Sequence, residues 1–89
     1  MDIIKCASAG TMESSDVYVE IMPSQDGINI ELESVVEKQF GEKIKEAVKS
    51  VLAETGVENA ELRIVDKGAL ECVIRARVET AVLRGKGEI

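Results

Sequence analysis

Apolar and polar residues alternate along two short runs in the first third of the chain. Val17, Val19 and Ile21 fall on one face of an extended segment, with Tyr18, Glu20 and Met22 on the other. A period of two is the signature of a half-buried strand. Ile28, Ile30 and Leu32 repeat the pattern against Asn29, Glu31 and Glu33. Between the runs, Pro23-Ser24-Gln25-Asp26-Gly27 supplies turn residues. The pair reads as an antiparallel hairpin.

The period then lengthens. Ser34 is placed as an N-cap, with Glu37 reaching back to complete a capping box. Val36, Phe40, Ile44, Ala47, Val48, Val51 and Leu52 recur at spacings of three and four, giving a helix with a wide apolar stripe. Gly41 borders that stripe at a cost of roughly 1 kcal/mol in helix propensity relative to Ala, which a close backbone contact or a kink would explain. Thr55-Gly56 fits the stop, since glycine tolerates the left-handed conformation past the last turn. Ala60, Leu62 and Ile64 alternate with Glu61, Arg63 and Val65 as a third strand. Asp66 is placed as the cap of a second helix, with Lys67 and Gly68 in its entry turn. Leu70, Val73, Ile74, Val78, Ala81 and Val82 form its stripe, which runs out near Gly85 into a frayed tail.

The predicted order is β-β-α-β-α. It implies an α+β fold: a small antiparallel sheet of about three strands, with two helices packed on one face. Residues 1–89 read as one domain. Within it, residues 1–15 carry Ile3 and Ile4 and then turn small and polar. They are expected to form a flexible or loosely docked N-terminal arm, with room for a short strand at its start. One residue breaks the pattern of the second helix. Arg77 falls inside the apolar arc with Val73, Ile74 and Ala81. The favoured reading is a snorkelling side chain; the sharper one is an ion pair with a carboxylate at the sheet edge. Cys72, Ala76 and Leu83 fall on the opposite face of that helix and offer a small secondary apolar patch for a partner.

Composition narrows the function. With 45% hydrophobic residues the chain can build a core, which argues against disorder. Tyr18 and Phe40 are the only aromatics, so that core is aliphatic and there is no stacking platform for bases. The formal net charge of −6 repels phosphate backbones and excludes nucleic acid as an expected partner. It suits basic protein partners, or serves solubility alone. There is no histidine, so a Ser-His or Cys-His nucleophile pair cannot form within the chain, and the commonest metal ligand is missing. Cys6 and Cys72 make neither a zinc pattern nor a CxxC motif and read as reduced packing or surface residues. No signal peptide and no membrane span is evident, so a cytoplasmic location without membrane attachment is expected.

A self-contained active site is not found. There is no Walker loop, GxSxG elbow or metal box, so no catalytic residue and no metal is expected. The many Asp and Glu residues occupy the polar faces of strands and helices, where solvated charges belong. What remains is Ala9-Gly10-Thr11-Met12-Glu13-Ser14-Ser15-Asp16, a small polar stretch before the first sure strand. It carries a serine within reach of another enzyme. On the residues alone, Ser14 and its neighbour Ser15 cannot be told apart, and Ser8 is a distant third.

Several segments carry a resemblance. Residues Ala9 to Val17 are similar to the N-terminal signature of the citrate lyase acyl carrier proteins. So are Ser34-Val35-Val36-Glu37-Lys38-Gln39-Phe40-Gly41, Asp66-Lys67-Gly68-Ala69-Leu70-Glu71-Cys72 and Arg75-Ala76-Arg77-Val78-Glu79. The pieces stand in family order at family spacing over nearly the whole chain. Met12 replaces the usual leucine and Glu71 the usual aspartate. The resemblance implies a non-catalytic carrier subunit, a gamma subunit, and it selects Ser14. In the family, the matching serine holds 2'-(5''-phosphoribosyl)-3'-dephospho-CoA through a phosphate ester. The thiol of this arm carries acetyl, which the transferase (alpha) subunit exchanges for citryl. The lyase (beta) subunit then releases oxaloacetate. A prosthetic-group transferase is the further partner implied. Ser14 fits such a role as an accessible hydroxyl in a chain with no general base of its own. The rivals are the related carrier of malonate decarboxylase, an interaction module without a prosthetic group and, last, a free-standing enzyme.

Overall fold

The computed structural model describes residues 2–89; the Glu37 side chain, invoked above for a capping box, lies outside the described residues. Four strands and two helices follow in the order β1 (Ala7–Gly10), β2 (Val17–Met22), β3 (Ile28–Ser34), α1 (Glu37–Glu54), β4 (Ala60–Asp66) and α2 (Glu71–Gly85). The fold is α+β, and the alternating runs at 17–22, 28–33 and 60–65 all lie in strands. The fourth strand is β1, inside the stretch expected to dock loosely. It pairs antiparallel with β2, Ala7 opposite Ile21 and Gly10 opposite Tyr18. Ile3, just upstream, is buried against the core, and the Ile4 and Lys5 amides donate to Gly85 O at 2.9 and 3.2 Å.

The expected hairpin of the second and third runs does not form. The sheet order is β1-β2-β4-β3, with β4 between them. β2 pairs antiparallel with β4, Val19 opposite Ile64, whereas β3 runs parallel to β4, Leu32 also opposite Ile64. Burial explains the exchange. β4 buries Ala60, Leu62, Ile64, Val65 and Asp66, while β3 presents Asn29, Glu31 and Glu33 to solvent. The most completely buried strand takes the central place, and the charged one takes an edge, where charges discourage pairing with other chains. The five-residue connection Pro23 to Gly27 is long enough to step over one strand, about 10 Å at the usual spacing. It is held to the start of β4: Gly27 N–H donates to Asn59 Oδ1 at 2.9 Å, and Ala60 N–H to Gly27 O at 3.0 Å. Parallel neighbours need a long crossover, and α1 provides it.

Both helices pack against the sheet, α2 over β1 and β2 and α1 beside it over β3. Val17, Val19 and Ile21 meet Ile74, Val78, Ala81 and Val82 in one aliphatic core with Val48, Val51 and Leu52 of α1. The helix starts differ from expectation. Ser34 closes β3, and Val36 is the N-cap of α1, with no side-chain cap. Leu70, not Asp66, is the N-cap of α2; it is exposed rather than part of the buried stripe, as is Phe40 in α1. The stop at Thr55-Gly56 stands as expected. Gly56 has φ +75°, its N–H donates to Ala53 O at 3.2 Å and Val57 N–H donates to Leu52 O at 2.9 Å. This is the Schellman pattern, sealed by the buried Val57. The end of α2 repeats it.

Candidate functional site

The connection between β1 and β2, residues 11–16, holds the serine pair. It opens at Gly10, whose φ is +91°. A Cβ there would lie 1.8 Å from Val17 O, so only glycine lets the two strands close at this register. Asp16 N–H donates to Glu13 O at 3.1 Å, closing a turn with Ser14 and Ser15 at its centre. Both serines are exposed. They differ in backbone. Ser15 has φ +65°, the only positive φ of a non-glycine among the described residues. Its N–H donates to Lys67 O at 2.8 Å, and Lys67 N–H donates to Asp16 O at 2.9 Å. These two bonds sew the far half of the turn to the loop after β4. Ser14 stands one residue outside the seam, and no described residue hydrogen-bonds its side chain.

Asp16 organises the loop. Its Oδ2 accepts from Thr11 Oγ1 at 2.7 Å, and its Oδ1 from Val17 N–H at 2.7 Å. Arg77 completes the set with a two-point contact, Nε to Oδ1 at 3.2 Å and Nη2 to Oδ2 at 3.1 Å. Thr11 Oγ1 in turn accepts from Glu13 N–H at 3.2 Å. The Thr11 hydroxyl, then the Val17 amide and the Arg77 guanidinium, hold the Asp16 carboxyl down at about 2. A carboxylate so fully engaged is a structural anion rather than a proton acceptor. The sharper of the two readings of Arg77 is therefore the one observed. The Arg77 side chain is 42% exposed, while that of Asp16 is largely covered at 15%.

Beneath the loop lies a second buttress. Asp66 is buried, and its Oδ1 accepts from Gly68 and Ala69 N–H at 3.2 and 2.9 Å. Its Oδ2 accepts from Ser34 Oγ at 2.8 Å, and Ser34 Oγ accepts from Val36 N–H at 3.1 Å. Asp66 thus shapes the loop to which Ser15 is sewn, although it does not cap α2. Among the predicted candidates, Ser14 and Ser15 share the turn, whereas Ser8 is half-buried in β1. Cys6 and Cys72 are exposed free thiols. Sequence reasoning missed Asp16 and Thr11 as supports; the available signal was an arginine inside an apolar arc with no assigned partner.

The arrangement presents an exposed serine pair on a braced turn. The described residues hold no group of three or more metal-ligating side chains, and no described helix is long and apolar enough to cross a membrane.

Residues 4–85 match the acyl carrier family described as malonate decarboxylase delta subunit (MdcD). The citrate lyase acyl carrier protein of Escherichia fergusonii is 58% identical over 85 residues, covering 94% of this chain and 88% of the relative. That of Haemophilus influenzae is 51% identical, covering 99% and 92%. Among solved structures, a chain of a Pseudomonas malonate decarboxylase hetero-tetramer in complex with malonate shares the fold at TM-score 0.75. It is 23% identical, covering 86% of this chain and 79% of that one.

Proposed function

Because the chain belongs to the citrate lyase acyl carrier protein family and is a carrier rather than a catalyst, we propose that it holds the acetyl and citryl thioesters of citrate cleavage on a 2'-(5''-phosphoribosyl)-3'-dephospho-CoA arm attached to Ser14. The observation that carries this reading is the setting of Ser14: exposed, at the centre of a turn that its neighbours brace, with no described side chain engaging its hydroxyl.

The residues present fit such a group. An esterified Ser14 would project from the turn without breaking a hydrogen bond among the described residues, because the bonds of the loop are made by Thr11, Glu13, Ser15, Asp16, Val17, Lys67 and Arg77. The arm, when bound, supplies the thiol that carries the acyl group. The chain supplies a fixed root for it, so reach comes from the arm and position from the protein. Tethering then raises the effective concentration of the thioester at each partner site. The partners in this reading are the transferase and lyase subunits, together with the enzyme that attaches the arm, all in the cytoplasm. The malonate decarboxylase reading shares the fold, but relatives near half identity or above carry the citrate lyase name.

Intact-mass measurement of the protein from a competent host tests the proposal. An adduct is expected on wild type and none on Ser14→Ala, which should fold normally and leave citrate lyase activity near background in the reconstituted complex. An adduct that persists in Ser14→Ala would move the site to Ser15.

A further inference from the structure

Ser15 occupies a backbone region that side chains rarely adopt, and such a conformation persists only where its surroundings over-determine it. Three restraints do so here. The ladder to Lys67 holds it from the sheet end, the Glu13–Asp16 turn bond holds it within the loop, and the Asp16 carboxylate ties the loop to α2 through Arg77. The last restraint spans 61 residues of sequence and is bidentate, so it sets orientation as well as distance. The Arg77 side chain also runs along the loop's entrance. A Cβ on Gly10 would sit 3.4 Å from its Cδ.

We propose that Arg77, acting through Asp16, is a positioning residue that selects Ser14 over Ser15 as the hydroxyl presented for attachment of the arm. The proposal rests on the carrier reading above. With the clamp closed, the Ser15 backbone is pinned to the Lys67 loop and Ser14 is the outward hydroxyl. With the clamp open, the 11–16 loop loses its tie to α2 and keeps only the bonds within the loop and the ladder to Lys67, and either serine can turn toward an incoming enzyme. In the attachment step the Ser14 Oγ–P bond forms as a P–O bond of an activated polyphosphate donor breaks. The hydroxyl proton passes to the attaching enzyme, and the distal phosphates leave. Arg77 touches none of these atoms; its effect is on where Oγ stands.

Wild type, Arg77→Met, Arg77→Lys and Thr11→Val are compared with the purified attaching enzyme and its donor. The readouts are initial rates and fragmentation of the tryptic peptide Cys6–Lys38, which contains both serines. Wild type should carry the adduct on Ser14 alone. Arg77→Met should lose about tenfold in kcat with little change in KM, and part of its adduct should appear on Ser15. Arg77→Lys, which keeps the charge but not the fork, should recover part of the rate. Thr11→Val removes the Asp16 and Glu13 bonds of an exposed side chain and loosens the Asp16 end of the clamp without touching the helix, so an unfolded Arg77→Met does not decide the matter. A Ser14-only adduct, at whatever rate, in folded Arg77→Met, or in Thr11→Val if Arg77→Met does not fold, overturns the proposal. Wild type without an adduct on either serine overturns the carrier reading beneath it, and the proposal with it.

Discussion

Gly10 is the residue on which the serine loop turns. Any side chain there meets the Val17 carbonyl at 1.8 Å while the backbone sits at φ +91°. Gly10→Ala should therefore cost more than the ~1–2 kcal/mol of a strained φ alone, because the strand pair must also separate. Urea unfolding measures it, and a cost under about 1 kcal/mol would show that the hairpin yields easily. Asp16 gives the pH dependence. It titrates at about 2 in the folded chain against 3.8 when free, so the unfolded chain takes up the proton first as pH falls. The stability due to this carboxylate is present in full above about pH 4 and is lost progressively between about pH 4 and pH 2. Denaturation midpoints compared across that range should fall less steeply in Asp16→Asn than in wild type; parallel curves would show that other carboxylates govern the acid transition.

At the scale of elements, the N-terminal segment is held by a bracket as well as by pairing. Asp2 Oδ1 accepts from Glu58 and Asn59 N–H at 2.8 and 3.1 Å, and its Oδ2 accepts from Asn59 Nδ2 at 2.9 Å. Asn59 Oδ1 passes the link to Gly27. One side chain thus joins the start of the chain, the entry to β4 and the entry to β3. Within β1, Arg84 Nη1 donates to Ser8 O at 2.8 Å, fastening the edge strand to α2. Asp2→Ala should cost about 1 kcal/mol, the usual net worth of a hydrogen-bonded polar contact. It should also speed amide exchange at Glu58 and Asn59 more than in α2. Unchanged exchange at those two amides would mean that the bracket is not closed in solution.

At the scale of the molecule, stability rests on one aliphatic core with β4 through its middle. A chain of 89 residues has about 4–13 kcal/mol of folding stability at the usual value per residue. Leu62 lies in β4 at 1% exposure. Leu62→Ala should remove about 2–5 kcal/mol, enough to leave the weaker end of that range marginal. Val35→Ala, at an exposed position, should stay within about 0.5 kcal/mol. Urea titration of the pair tests whether burial rather than residue type sets the loss.

The chain's own pattern determined what depends on neighbours in sequence. Period two placed strands over 17–22, 28–33 and 60–65, period 3.6 placed both helices, and Thr55-Gly56 marked where α1 ends. An acidic chain without histidine offered a reachable serine pair and no self-contained site; the family resemblance supplied the carried chemistry and selected Ser14. Tertiary structure decided what depends on competition between distant segments. β4 displaced β3 from β2 because it buries more of its length. Its direction follows from the α1 crossover, a signal present in the strand–helix–strand order but subordinate to the Asp-Gly turn in the local reading. The small residues Ala7 to Gly10 show no strong period, yet they complete the sheet once β2 offers an open edge. Arg77 and Asp16 met for the same reason: periodicity says which face a residue occupies, and only the packed sheet and helix say what stands opposite it.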